Sequence, residues 1–223
     1  MSVVIVTGGF GALGRVVVAA LTARGFTVAA VDVAPAPADY PAALALGGVD
    51  LADEAAVAAA YASVVARLGR LDGLVNIAGG FIWEPVEGGA LESWDRMFRM
   101  NLRTAAASSA AALPYLTKQG GAIVNVGAAG AVQPGMGMAP YAASKAGVRA
   151  LTESLADELR GKKVRVNAVL PTIIDTPANR AAMPDADTAG WVSPAAAAKA
   201  IAFLLSDEAS AVTGASLLLS LAG

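Results

Sequence analysis

The chain has 223 residues, is 56% hydrophobic and only 15% charged, and carries a formal net charge of −2. That length suits one large domain with a substantial core, and its scattered basic residues argue against a nucleic-acid or anionic-membrane surface. It has no Cys and no His, so disulfides, thiolate metal sites, cysteine nucleophiles and imidazole bases are excluded. Acid–base chemistry falls to Asp, Glu, Lys or Tyr, and no metal site is expected.

Met1-Ser2 leads straight into the apolar Val3-Val4-Ile5-Val6 with no basic stretch before it. A signal peptide is therefore not expected, and a cytoplasmic location is. No apolar run reaches the ~18 residues of a membrane span. Val3 to Val6 reads as a strand buried on both faces, as in a parallel sheet. Thr7-Gly8-Gly9-Phe10-Gly11-Ala12-Leu13-Gly14 follows, then a helical pattern from Arg15. Strand, glycine-rich turn, helix is the context a dinucleotide fingerprint requires, because glycines let the backbone approach a pyrophosphate at a helix N-terminus. An ordinary tight turn between strand and helix can also be glycine-rich.

The second strand spans 27–32 and ends in Asp32. An acid there suits a ribose 2′-hydroxyl and repels a 2′-phosphate, so NAD(H) is expected over NADP(H), with Arg15 nearby to soften the preference. Residues 33–46 form a Pro/Ala-rich connection. Gly48-Val49-Asp50-Leu51 reads as a third strand. Asp53 opens a helix through Arg67, with Val57, Tyr61, Val64, Val65 and Leu68 on its apolar face. A fourth strand at 74–77 runs into Ala78-Gly79-Gly80.

A long helical segment begins at Leu91 and reaches about Thr117. It is uncharged between Arg103 and Lys118, which predicts cover on both sides and a homodimer or homotetramer built through it. A fifth strand spans 122–127. A Gly/Pro/Met loop then leads to Pro140-Tyr141-Ala142-Ala143-Ser144-Lys145, within a helix to about Leu159. Tyr141 and Lys145 lie one turn apart on one helix face. The ammonium favours the phenolate, making the phenol a readier proton donor. A sixth strand at 164–170 is closed by Pro171, and 172–192 lacks periodicity. Ser193-Pro194 caps a helix to about Leu205, and 215–221 is a last strand. Alternating strands and helices imply an α/β, doubly wound parallel sheet.

Thr7-Gly8, Ala12-Leu13-Gly14, Asp32, Asp50-Leu51, Asn76-Ile77-Ala78-Gly79, Asn101, Tyr141 with Lys145, Asn167 and the stretch from Pro171 to Thr176 fall in the order and spacing of the short-chain dehydrogenases/reductases. The resemblance covers essentially the whole chain. It implies a single-domain Rossmann fold over 1–223, with about seven strands and helices on both faces, an NAD(H) cofactor and a small-molecule substrate. Tyr141 would donate the proton, Lys145 would bind the nicotinamide ribose and lower the tyrosine's pKa, and Asn101 would hold a relay water. Gly8, Phe10, Leu13 and Gly14 would line the cofactor's phosphates and ribose. Asp50 and Leu51 would meet the adenine, Asn76, Ala78 and Gly79 would lie under the adenosine, and Pro171, Ile174 and Thr176 would follow to the carboxamide.

Two positions depart from the family pattern. Ala12 replaces a usual glycine. Ala128, thirteen residues before Tyr141, replaces the serine that polarises a carbonyl oxygen. The chain resembles most closely the dihydropteridine reductase branch, which also lacks that serine. Gly8 to Gly14, Val31-Asp32-Val33, Ala78-Gly79-Gly80-Phe81, Gly135-Met136 and the stretch from Leu170 to Asp187 with Trp191 carry that likeness. It implies hydride transfer to a planar C=N or quinonoid substrate. Phe81, Trp83 and Trp191 lie in the loops after the fourth and sixth strands, which overhang the crevice at the strands' carboxyl ends; they read equally as flat pocket walls beside Ala128 or as loop anchors, and Met136, Met138 and Met183 suit the same pocket. The alternatives are a secondary alcohol dehydrogenase or carbonyl reductase, and a non-catalytic NAD-binding protein.

Overall fold

The computed structural model describes residues 2–220. They form one seven-stranded, all-parallel sheet: β1 (Val3–Thr7), β2 (Thr27–Val31), β3 (Leu44–Leu46), β4 (Gly73–Asn76), β5 (Gly121–Val126), β6 (Val164–Pro171) and β7 (Ser216–Leu219). The spatial order is β3-β2-β1-β4-β5-β6-β7. The chain winds outward from β1 in one direction and from β4 in the other. The crevice between their carboxyl ends is the switch point where ligands of such sheets bind.

Period-two alternation splits the core into two layers. Val4 and Val6 of β1 join Val28, Ala30, Val75 and Val124 against α1 (Ala12–Ala23) and α7 (Pro194–Leu205). Val3 and Ile5 point the other way, joining Ala29, Val31, Leu74 and Ile123 against α2 (Glu54–Leu68), α4 (Thr104–Gln119) and α5 (Ala139–Glu158). Strands buried on both faces explain why their sequences read as continuous apolar runs. Helix boundaries follow local chemistry. The Asp53 carboxylate accepts from Ala55 N and Ala56 N at the start of α2, and Gly69 ends that helix at φ 85°. Ser193 accepts from Ala196 N at the start of α7.

Three expectations change. The third strand is Leu44–Leu46, not 48–51. Gly48 turns the chain at φ 74°, and Asp50 accepts from Ala52 N in a turn, which ends pairing before Asp50 is reached. The long segment from Leu91 is α3 (Leu91–Met97), a π-helical stretch Phe98–Arg103, and α4. Helix α4, uncharged up to Lys118 in its last turn, packs on α2, β4 and β5 within its own chain, so intramolecular cover accounts for much of its composition. The loop at 172–192 contains a short helix, α6 (Pro177–Ala182), capped by Thr176. Of the last predicted strand, residue 221 lies outside the described residues. Among the described residues no helix is long and apolar enough to cross a membrane, and no group of acidic residues is arranged to hold a metal ion.

Candidate active site

At the end of β1 the Thr7 hydroxyl accepts from Ile77 N and Ala78 N, at 3.1 and 3.3 Å. This locks the β1 turn to the chain leaving β4. Gly8 has φ 62°, and a Cβ there would fall 2.9 Å from the Ala78 backbone. A Cβ on Gly14 would fall 2.1 Å from Gly8 O. Both positions therefore require glycine, and the start of α1 sits in backbone contact with the turn. Gly11 gives α1 no side-chain cap, and its first turn carries no acid. The leading N–H groups and the positive end of the helix dipole are left for an anion, so the residues fit a pyrophosphate. Phe10 and Leu13 are buried beneath the turn.

Asp32 follows β2 immediately. One carboxylate oxygen accepts from Phe10 N at 2.9 Å and the other from Ala34 N at 3.0 Å. The carboxylate is thereby fixed beside the turn with lone pairs to spare for ribose hydroxyls. Tyr40 arrives from the Pro/Ala-rich connection and has no forewarning in any motif. Its ring meets Phe10 edge-on at 4.9 Å, its hydroxyl donates to Gly9 O, and the Arg15 guanidinium lies 5.5 Å from its centroid. Only its aromatic character amid small residues could have marked it.

Asp50 sits on the turn after β3, ion-paired to Arg99 at 2.6 Å, with Leu51 buried next to it. The structure turns the Asn76 side chain away from the crevice. Its amide donates to Asn125 Oδ1 at 2.8 Å and Ser109 Oγ at 3.1 Å, in the layer between sheet and α4. Ala78 and Gly79 stay at the crevice. A Cβ on Gly79 would lie 2.5 Å from Asn101 Oδ1 and 3.5 Å from Lys145 Nζ. Gly79, Asn101 and Lys145 thus converge.

Asn101 stands in the π-helical stretch and is buried. Its Oδ1 accepts from Gly80 N at 2.9 Å, and its Nδ2 donates to Gly80 O at 3.1 Å and Ser144 Oγ at 2.9 Å. Ser144 in turn donates to Tyr141 O at 2.7 Å. The side-chain amide therefore ties the chain after β4 to the first turns of α5. Ser144 thereby joins Asn101 to the Tyr141 main chain.

Lys145 is 5% exposed, and its Nζ donates to Val126 O at 2.7 Å. Burial disfavours the ammonium and pulls its pKa down to about 8. Tyr141 stacks edge-on against Phe81 at 4.9 Å. Burial pushes its hydroxyl up to about 12. The expected depression of the tyrosine by Lys145 is thus not what the structure has. The lysine shares Tyr141's helix face, but its ammonium turns to the end of β5, and desolvation governs the phenol instead.

Ala128 is buried, extended at φ −160°, and presents a methyl group at the expected serine position. Phe81 and Trp83 are 53% and 55% exposed. The Trp83 Nε1–H donates to Met136 O at 3.0 Å, and Glu84 N donates to Gly137 O at 2.7 Å. The loops after β4 and β5 are thereby bolted together over Tyr141. Trp191 is 6% exposed and anchors its loop as a core residue rather than forming an open pocket wall. Pro171 ends β6, Ile174 bridges to Val192, and the Thr176 side chain is committed to capping α6. A groove of about 420 Å³ between Val86, Gly130, Gly135 and Ala142 is not lined by Tyr141, Lys145 or Asn101.

Residues 2–187 match the family model described as short chain dehydrogenase. The chain is 35% identical to the D-threitol dehydrogenase of Mycolicibacterium smegmatis, covering 97% of this chain and 90% of that protein. It is 33% identical to a 3-oxoacyl-[acyl-carrier-protein] reductase of Thermotoga maritima, over 95% and 93% of the two chains. The structure of a 3-ketoacyl-(acyl-carrier-protein) reductase from Brucella melitensis complexed with NADH superposes with a TM-score of 0.86, at 29% identity, over 98% of this chain and 96% of that one.

Proposed function

We propose, from the premise that the chain belongs to the short-chain dehydrogenase family, that it is an oxidoreductase using NAD(H) to reduce a planar C=N or quinonoid substrate of the dihydropteridine type. The oxidoreductase class rests on the family. The finer reading is carried by one observation: a neutral Tyr141 phenol stands in the crevice under Phe81, with the methyl of Ala128 where a carbonyl-polarising hydroxyl would be. A C=N substrate needs a hydride at carbon and a proton at nitrogen, and has less need of that hydroxyl.

In this reading the turn from Gly8 to Gly14 holds the pyrophosphate, with Phe10 and Leu13 forming its floor, and Asp32 accepts from the adenosine ribose. Asp50, Leu51, Ala78 and Gly79 border the adenosine. Pro171, Ile174 and Thr176 meet the nicotinamide end. The cofactor supplies the hydride when bound. Tyr141 passes its hydroxyl proton to the substrate atom that gains negative charge. Lys145, still largely protonated at neutral pH with a pKa of about 8, offsets the phenolate that remains. The Asn101 side chain is held by Gly80 and Ser144, and the same residue would hold a relay water behind Lys145. Phe81 and Trp83 offer flat faces to a planar ring.

The second reading is a secondary alcohol dehydrogenase or carbonyl reductase. The names of the D-threitol and 3-oxoacyl relatives support it, and Ala128 opposes it. The deciding assay follows NADH oxidation with a quinonoid dihydropterin and with a ketone panel, on the wild type and on Ala128→Ser. The first reading expects dihydropterin turnover and a gain in ketone reduction in the variant. Ketone turnover by the wild type without dihydropterin turnover would sink it. The same proposal includes a homodimer or homotetramer, for which the exposed Val86, Leu91, Trp94 and Phe98 offer an apolar face. Sedimentation of a monomer at micromolar concentration would contradict that part.

A further inference from the structure

We infer that Tyr40 is a specificity-determining residue for the cofactor, favouring NAD(H) over NADP(H) by occupying Arg15 and filling the space beside Asp32. This rests on reading the turn from Gly8 to Gly14 as the dinucleotide site.

Discrimination between the two cofactors happens at one group, the adenosine ribose 2′-substituent. A hydroxyl needs an acceptor, which a carboxylate at the end of the second strand supplies. A phosphate needs a cation, usually an arginine close to the same place. This chain has both kinds of residue. Asp32 is held toward the turn by Phe10 N and Ala34 N. Arg15 stands four residues past the last residue of the bend that opens α1, and among the described residues it makes no ion pair with a carboxylate. By charge alone, Arg15 is available to rescue a 2′-phosphate from Asp32.

Tyr40 removes that availability. Its ring lies under the Arg15 guanidinium at 5.5 Å, a cation–π distance. The Nε of Arg15 donates to Phe10 O at 2.8 Å, which ties the guanidinium to the main chain of the turn. Tyr40 is itself held from two sides, by the edge-on Phe10 ring at 4.9 Å and by its hydrogen bond to Gly9 O. These contacts cross 30 and 31 residues of sequence, so the aromatic cap is a tertiary construction and not a local turn. The Tyr40 hydroxyl is close enough to both charges to feel them. Burial raises its pKa first, Arg15 opposes that rise, and Asp32 adds to it. Phenol, guanidinium and carboxylate therefore share one small region. The phenol takes up the cation and leaves the carboxylate's negative charge facing the ribose.

The test measures binding, not turnover. Isothermal titration of the full chain with NAD⁺ and with NADP⁺ gives two dissociation constants for each of wild type, Tyr40→Ala, Tyr40→Leu and the double variant Tyr40→Ala/Arg15→Ala. Leucine keeps apolar bulk on Phe10 while removing the ring face, so it serves if the alanine variant folds poorly. Wild type should bind NAD⁺ more tightly. Both single variants should narrow the Kd ratio by roughly tenfold, chiefly through tighter NADP⁺, as expected for a guanidinium released to a phosphate. Adding Arg15→Ala should restore the wild-type ratio. A ratio in both single variants within about twofold of wild type overturns the inference, and so does a gain that survives loss of Arg15. If the wild type binds neither dinucleotide, the reading of the turn itself fails and takes the inference with it. Intact NAD⁺ binding with an unmoved ratio defeats the inference alone.

Discussion

Replacing Lys145 with Met should make the protein more stable at neutral pH while abolishing its hydride-transfer activity. The ammonium is buried, and its pKa falls from 10.5 to about 8. The unfolded chain binds the proton more strongly than the folded one, so the lysine opposes folding fully below about pH 8 and not at all above about pH 10.5. At about 1.4 kcal/mol per unit, that opposition approaches roughly 3 kcal/mol at pH 7. It shrinks to about 1 kcal/mol near pH 9.5 on the same linkage relation. Methionine keeps the length and loses the charge. It also strands Val126 O, which Nζ now satisfies at 2.7 Å, a loss of about 1–2 kcal/mol that does not depend on pH. The quantity to measure is therefore a double difference. Urea unfolding of wild type and variant at about pH 7 and about pH 9.5, followed by circular dichroism, should show the variant's advantage shrinking by about 2 kcal/mol between the two. Parallel pH dependence in the two proteins would refute the argument, because it would mean that Lys145 is as well solvated folded as unfolded.

Tyr141→Phe should lower kcat by about 10² to 10⁴ and leave the NAD(H) dissociation constant within about twofold, as stopped-flow and titration would show, since it removes a proton donor and keeps the ring against Phe81. Gly14→Ala should prevent dinucleotide binding and lower the unfolding temperature together, because the added Cβ meets Gly8 O at 2.1 Å and the turn must open. Asn125→Ala should cost about 2–4 kcal/mol in denaturant unfolding, since it removes the shorter of the Asn76 amide's side-chain bonds and takes a donor from Thr152 in a fully buried layer; a loss under about 0.5 kcal/mol would mean water repairs the gap.

Much of the fold is legible because a parallel sheet buried on both faces has to be written as short apolar runs separated by helices. Val3 to Val6 and Ile123-Val124 are of that kind. The third strand is not legible in the same way: Leu44-Ala45-Leu46 is short and preceded by prolines, while Val49-Asp50-Leu51 carries the stronger local pattern; pairing with β2 decides the matter, and that is not local. The backbone-contact glycines, Gly8 and Gly14, were legible because steric demand leaves no alternative residue. Tyr40 was not, because its partners Gly9, Phe10 and Arg15 lie some 25 to 31 residues away and no periodicity connects them. Trp191 is open in the sequence for a related reason: an aromatic in an aperiodic loop reads equally as a pocket wall or an anchor, and its burial in the fold favours the anchor.

The asparagines carry the larger lesson. Asn76 resembles a cofactor residue in sequence, yet its amide runs a buried ladder: Asn76 to Asn125, Asn125 to the Thr152 hydroxyl, and that hydroxyl to Val148 O, each at 2.8 Å. Thr152 and Val148 belong to α5, the helix that carries Tyr141 and Lys145. Lys145 reaches the neighbouring strand residue, Val126. Helix α5 is therefore fastened to β5 at two points about two turns apart, and Asn101 fastens its first turn to the chain after β4 through Ser144. Satisfied polar contacts in a low-dielectric layer are directional in a way that Ala and Val packing is not, so they fix the rotation of the helix as well as its distance from the sheet. Rotation is what aims a phenol. The polar residues at this site thus divide into the half-buried Tyr141, the proton donor of the proposed reaction, Lys145, whose ammonium reaches the end of β5, and a buried set that orients the helix carrying both. Asn76 belongs to the last group, although its place in the sequence motif points to the first.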